Sequence, residues 1–285
     1  EMRGRIGLAL LALALASQTS FASPTIGALT GATGTPQWQY LGGNNEWFSR
    51  YSGRVTSAEL QAFSKQPATN LDLYATGSTV TITYLGTGAT RDSNLFLAGA
   101  GSFDAAAFWG PVHASGGTNN LSIYNPVSSA NQLFETRSAC TYQQAKAGNS
   151  CQISELGQSR AISGLDRGEK LVFGLQTLPL VYDGINLPNV NYFFSGAAAN
   201  NADRKGWDDG SVHAKLLDLG KGDFLVGFED TWLGTGSRSD RDYNDMIFYF
   251  RGVSNDPKTI PEPASLALLA GALGLLGATL RRRRG

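Results

Sequence analysis

The chain is 285 residues long with 23 basic and 23 acidic residues, and 42% of it is hydrophobic. Setting aside Arg3, Arg5 and the four arginines of the C-terminal cluster leaves 17 basic residues in the body, and setting aside Glu1 and Glu262 leaves 21 acidic ones, a net charge near −4. A mildly acidic body lacks the clustered lysine and arginine that nucleic acid requires, so nucleic acid is excluded as a main partner.

Residues 1–22 carry the three parts of a secretory signal: basic Arg3 and Arg5, an apolar run over 6–16, and small residues before a cleavage point after Ala22. The run is apolar on every face and too short to span a bilayer. Export follows, with signal peptidase as the first partner. The body over 23–259 is then long enough for one large β domain, and its Gly, Asn, Ser and Thr punctuation between short apolar runs favours β structure.

Residues 57–65 and the surroundings of 142–146 are predicted as short helices. Strands are predicted at 79–85, 94–97, 121–124, 171–176, 191–194, 212–217, 224–228 and 246–250. The clearest is 79–85, where Val80, Ile82 and Tyr84 alternate with threonines as a half-buried strand requires. Eight or more short strands with so little helix predict a mainly β, antiparallel, jelly-roll-like β-sandwich.

Cys140 and Cys151 are close in sequence on an exported chain, which predicts a disulfide; two free thiols are the alternative. Closing so short a loop would contribute about 3 kcal/mol in the chain-entropy model. Trp207, Asp208 and Asp209 combine an aromatic platform with polar groups in a loop, as a sugar-binding site would. The alternative is a turn whose tryptophan enters the core. His113 and His213 are the only histidines, and neither H-E-x-x-H nor G-x-S-x-G is present, so zinc chemistry and a serine triad lack support and the body is expected to be noncatalytic. A glycosidase carboxylate pair stays open, because only its separation in space would identify it.

The most informative stretch lies between the last two long apolar runs: Glu229 and Asp230, then Asp240-Arg241-Asp242-Tyr243-Asn244-Asp245. Carboxylates at this density repel unless a cation neutralises them. The D-x-D-x-N spacing lets alternate side chains converge when the backbone curls around an ion, and Ca2+ takes six to eight oxygen ligands. Asp240, Asp242 and Asn244 would form the inner arc, with Glu229, Asp230 or Asp245 approaching from the strand ends. The loop is not an EF-hand, since Asp245 stands where the turn glycine belongs and Arg251 where the bidentate glutamate belongs. The alternative is a metal-free turn closed by Asp and Asn side chains and by Arg238 or Arg241. Gly227-Phe228-Glu229-Asp230 followed by the 240–245 run resembles the signature of an uncharacterised family of extracellular β-sandwich domains, with His213 where members tend to place a histidine. The resemblance spans about 165–252; it implies a fold and a calcium site, and no reaction.

The tail reads Pro261-Glu262-Pro263, then an uncharged stretch over 264–280, then Arg281, Arg282, Arg283 and Arg284. As a helix the stretch would reach about 25 Å, spanning a bilayer with some thinning, and the arginines predict a cytoplasmic C-terminus. Triplet, apolar helix and arginine cluster, in that order over 260–285, resemble the PEP-CTERM sorting signal. The resemblance implies recognition and cleavage by an exosortase, an inner-membrane intermediate, and then the cell surface or extracellular matrix. An ordinary membrane anchor is the alternative. Together these readings predict a surface-sorted protein acting in matrix, adhesion or exopolysaccharide association. A secreted carbohydrate-active enzyme and a purely structural surface protein are the rival classes.

Overall fold

The computed structural model describes residues 23–34, 37–40, 47–50, 54–68, 72–88, 92–105, 127–136, 153–178, 180–182, 185–187, 191–201, 211–230, 233 and 241–259. The signal segment with Ala22, the predicted strand at 121–124, the helical turn at 142–146, both cysteines and the tail from 260 lie outside them. In chain order the strands are β1 (Thr25–Ile26), β2 (Gln37–Tyr40), β3 (Trp47–Arg50), β4 (Leu73–Ala75), β5 (Thr79–Thr87), β6 (Ser93–Ala100), β7 (Gln132–Thr136), β8 (Ser159–Ser163), β9 (Lys170–Thr177), β10 (Leu180–Tyr182), β11 (Ile185–Leu187), β12 (Asn191–Phe194), β13 (Ala214–Gly220), β14 (Asp223–Phe228), β15 (Met246–Arg251) and β16 (Val253–Ser254). The α-helix among the described residues is α1 (Ser57–Ser64). No described helix is long and apolar enough to cross a membrane.

All named strand pairings are antiparallel, and two sheets face each other as a sandwich. The first runs β1-β8-β5-β15-β14-β13, with β3 on β5 and β2 on β3; the second runs β16-β4-β9-β6-β7, with β12 on β9. Their inner faces share one core. Val80, Ile82, Tyr84, Phe224, Val226, Phe228, Met246, Phe248 and Phe250 from the first sheet meet Leu73, Leu95, Phe134, Leu171, Phe173 and Leu175 from the second. Phe173 meets Phe250 across the interface edge-on, with ring centroids 4.8 Å apart, the geometry that the ring quadrupoles favour.

Strands β14 and β15 are buried on both faces, which explains why Phe224-Leu225-Val226-Gly227-Phe228 and Met246-Ile247-Phe248-Tyr249-Phe250 are apolar without interruption. Their second face carries Leu225, Ile247 and Tyr249, packed with Val55, Leu60 and Phe63 at α1. The helix begins where a capping box sets it: Thr56 Oγ1 accepts from the Glu59 N–H at 3.2 Å, and the Thr56 N–H donates to Glu59 Oε2 at 2.7 Å. After β15 the chain crosses at Gly252 from the first sheet to the second, where Val253 enters the core fully buried and β16 pairs with β4.

Candidate functional site

Register decides which acidic residues meet. Phe228 pairs with Met246 at the end of the β14-β15 ladder, so the next residues outward, Glu229 and Asp245, leave the sheet side by side. Glu229 and Asp230 are 1% and 3% exposed, far below what carboxylates normally tolerate. The Asp230 N–H donates to Asp245 Oδ2 at 2.7 Å, and the Tyr243 N–H lies 3.4 Å from Glu229 Oε2. Burial, and after it the carboxylates of Asp230, Glu229 and Asp242, push the Asp245 carboxyl well above the ordinary carboxylate range, against the opposing pull of the Asp230 N–H.

The returning half of the loop is curled by two non-glycine residues in the left-handed region, Arg241 at φ 59° and Tyr243 at φ 60°. Each costs on the order of 1–2 kcal/mol, so the surrounding contacts must hold them. The alternation turns Asp242 and Asn244 to one side: the Asn244 N–H donates to Asp242 Oδ1 at 3.0 Å, and its side-chain amide donates to Asp242 Oδ2. Arg241 donates to the Leu233 carbonyl at 2.8 Å, and the Tyr243 hydroxyl to the Val212 carbonyl at 2.8 Å.

Two glycines seat this loop on the sandwich. A Cβ at Gly227 would fall 2.2 Å from the Tyr243 carbonyl oxygen and 2.4 Å from the Phe63 ring, so only glycine lets loop, strand and helix close together. A Cβ at Gly88 would fall 1.8 Å from Asn244 Oδ1, while the Gly88 N–H donates to the Asn244 carbonyl at 2.8 Å. Thr87 adds a hydroxyl bond to the Asp245 carbonyl.

Lys215 and His213 complete the surroundings. The Lys215 side chain is buried, donates to the Ser64 carbonyl at 3.2 Å, and lies over the rings of Phe63 and Tyr243 at 4.9 and 5.3 Å. His213 stacks on Phe193 with centroids 4.2 Å apart, and its Nδ1 is 3.3 Å from the Glu229 carbonyl oxygen, the setting of a structural histidine.

Of the residues predicted to ligate a cation, the structure brings together Glu229, Asp230, Asp242, Asn244 and Asp245; Asp240 lies outside the described residues. Among the described residues no group of three or more His, Cys, Asp or Glu side chains is disposed to hold a metal ion. Trp207, Asp208 and Asp209 also lie outside. The ends of their loop are joined by Asn201, whose side-chain amide donates to the Phe194 and Ser211 carbonyls at 3.0 Å each. Sequence reasoning missed Lys215 and the two seating glycines.

Two family models match the chain. Residues 165–253 match a domain of unknown function, DUF4114. Residues 259–284 match the PEP-CTERM protein-sorting motif, which contains Pro261, Glu262, Pro263 and the four terminal arginines. The motif marks an exported protein, processed by an exosortase and destined for the cell surface or extracellular space. No curated protein and no solved structure matches the chain.

Proposed function

We propose that this exosortase-processed protein is a noncatalytic β-sandwich whose 229–245 loop binds Ca2+, and that it serves in extracellular matrix, adhesion or exopolysaccharide association. The observation that carries the metal reading is the meeting of Glu229, Asp230, Asp242 and Asp245 beyond one end of the β14-β15 ladder, with Glu229 and Asp230 almost wholly buried. The donors are all oxygen, carboxylate and amide, which suits a hard cation and no soft one. Asp240 and the Asn244 side-chain carbonyl would complete the set, and the cation would replace the bonds Asn244 now makes to Asp242. When bound, Ca2+ would add positive charge among these carboxylates, and the chain's own part is to hold the loop curled through Gly227, Gly88 and Tyr243.

The test is thermal unfolding of the chain with Ca2+ and with a chelator, beside an Asp240→Ala, Asp242→Ala double variant. A rise in midpoint that the variant lacks supports the site; equal midpoints in all four conditions overturn it. The extracellular role is tested by binding to the isolated exopolysaccharide. Release of reducing ends, with no binding beyond turnover, would replace this reading with a secreted carbohydrate-active enzyme. The raised Asp245 carboxyl beside other carboxylates is the one observation that favours that rival, since a general acid needs such an environment.

A further inference from the structure

Lys215 is a charged side chain in a residue only 2% exposed, where lysine is rarely found. Its register partner on β14 is Gly227, whose missing side chain makes room for the Phe63 ring and the Tyr243 carbonyl beside it. The ammonium donates to the carbonyl of Ser64, the last residue of α1, at 3.2 Å. The last turn of α1 carries no basic side chain of its own, so Lys215 brings from β13 the positive charge that a helix C-terminus favours. Two aromatic rings flank the ammonium, Phe63 from α1 and Tyr243 from the acidic loop, with Nζ 4.9 and 5.3 Å from their centroids. One buried cation thus touches the end of the helix and the curled half of the loop.

Tyr243 stands between Asp242 and Asn244, in the left-handed region at φ 60°, with its N–H 3.4 Å from Glu229 Oε2. Backbone in that region keeps its shape only while its surroundings hold it. Asp242, Asn244 and Glu229, gathered on a cation, would fix Tyr243 from both sides along the loop and from across the ladder. We infer, on the reading of this loop as a Ca2+ site, that Lys215 couples the site to α1: an occupied loop holds the Tyr243 ring against the ammonium, and the ammonium holds the end of the helix. When the loop loosens, the buried ammonium loses an aromatic neighbour and its bond to Ser64 weakens with it, because a buried charge keeps its partners or moves toward water. The other end of α1 is fixed by the Thr56–Glu59 capping box, so opening starts at the last turn. Ser57, Ala58, Gln61 and Ala62 are exposed on α1, which carries the occupancy of the loop to a surface outside it. Such coupling is reciprocal: a firmly seated α1 raises the affinity of the loop for its cation by the same factor.

Amide hydrogen exchange of the full chain, with Ca2+ and with a chelator, reads both parts at once. In the unaltered chain Ca2+ should slow exchange over 241–246 in the loop, and should slow the last turn of α1, over 60–65, about fivefold, the low end of ordinary coupling. In Lys215→Met the loop should still slow and α1 should not. Lys215→Gln can still donate to the Ser64 carbonyl but offers the rings no charge. It should behave as Lys215→Met does, and it carries the test if the methionine variant does not fold. Slowing of the loop without slowing of α1 in the unaltered chain overturns the coupling and leaves the calcium reading standing. Slowing of α1 that survives in either variant overturns the role of Lys215. No slowing in either segment overturns the calcium reading and the coupling together.

Discussion

The two ends of the β14-β15 ladder handle their carboxylates in opposite ways. At the end far from the acidic loop Asp223 is met by Arg251, with Nε 3.5 Å from Oδ1, and by the Tyr249 hydroxyl, which donates to Oδ2 at 2.7 Å. At the loop end the neighbours of Asp245 that matter electrostatically are Asp230, Glu229 and Asp242, all of its own sign. The strands between are in unbroken register, so neither topology nor packing forces the difference. A carboxylate matched by a cation and a hydroxyl explains itself as structure; Asp245, set among carboxylates of its own sign, is where the proposed cation would act.

The largest expected effect tests whether the loop end is built into the core. Gly227→Ala drives a methyl into the Tyr243 carbonyl and the Phe63 ring. It should lower stability by about 3 kcal/mol in urea unfolding, since overpacking a closed site moves backbone. Gly220→Ala, at the far end, meets open space and only a φ of +84°, and should cost about 1 kcal/mol. Similar losses at the two glycines would mean that the loop yields, and that its curl is not held by the sheet. Next in size is the metal: Ca2+ at a hundred times its dissociation constant should raise stability by about 2.7 kcal/mol in calorimetry. The gain should vanish in the Asp240→Ala, Asp242→Ala variant and persist in Asp223→Asn.

Much of the fold was legible in the sequence because it rests on local pattern. The alternation of Val80, Ile82 and Tyr84 marks β5, the uninterrupted apolar runs mark β14 and β15, and residues 191–194 match β12 as predicted. Strands such as β8, with Ile162 as its buried hydrophobic side chain, and the two-residue β1 and β16 leave no such mark; they are strands because a neighbouring ladder pairs them. The site divides likewise. Acidic density and the D-x-D-x-N spacing point to the loop, but only register shows that Asp245 joins Glu229 and Asp230. Gly227 carries no sequence sign of its role, because the groups that crowd it, Phe63 and Tyr243, arrive from elsewhere in the chain.

A graded effect follows from Asp245. Its folded-state pKa lies above its unfolded value, so the folded chain binds that proton more tightly. Without metal, the stability this group contributes is present below the ordinary carboxylate range and is lost as pH rises through the raised pKa. Unfolding midpoints measured in chelator should therefore fall over that window. Asp245→Asn should flatten the fall, and saturating Ca2+ should do the same in the unaltered chain. A flat profile in chelator would mean that the loop end already holds its neutralising charge.

The smallest effect is the control at the far end. Asp223→Asn keeps an acceptor for the Tyr249 hydroxyl but gives up the charge opposite Arg251, whose side chain is 64% exposed. An ion pair this open to water is worth about 1 kcal/mol or less, and salt screens what there is. Chemical unfolding of Asp223→Asn should show a loss of that order at low ionic strength and almost none at high. A loss of several kcal/mol, unresponsive to salt, would make the far end as electrostatically committed as the loop end. The contrast between them would then say nothing about a cation.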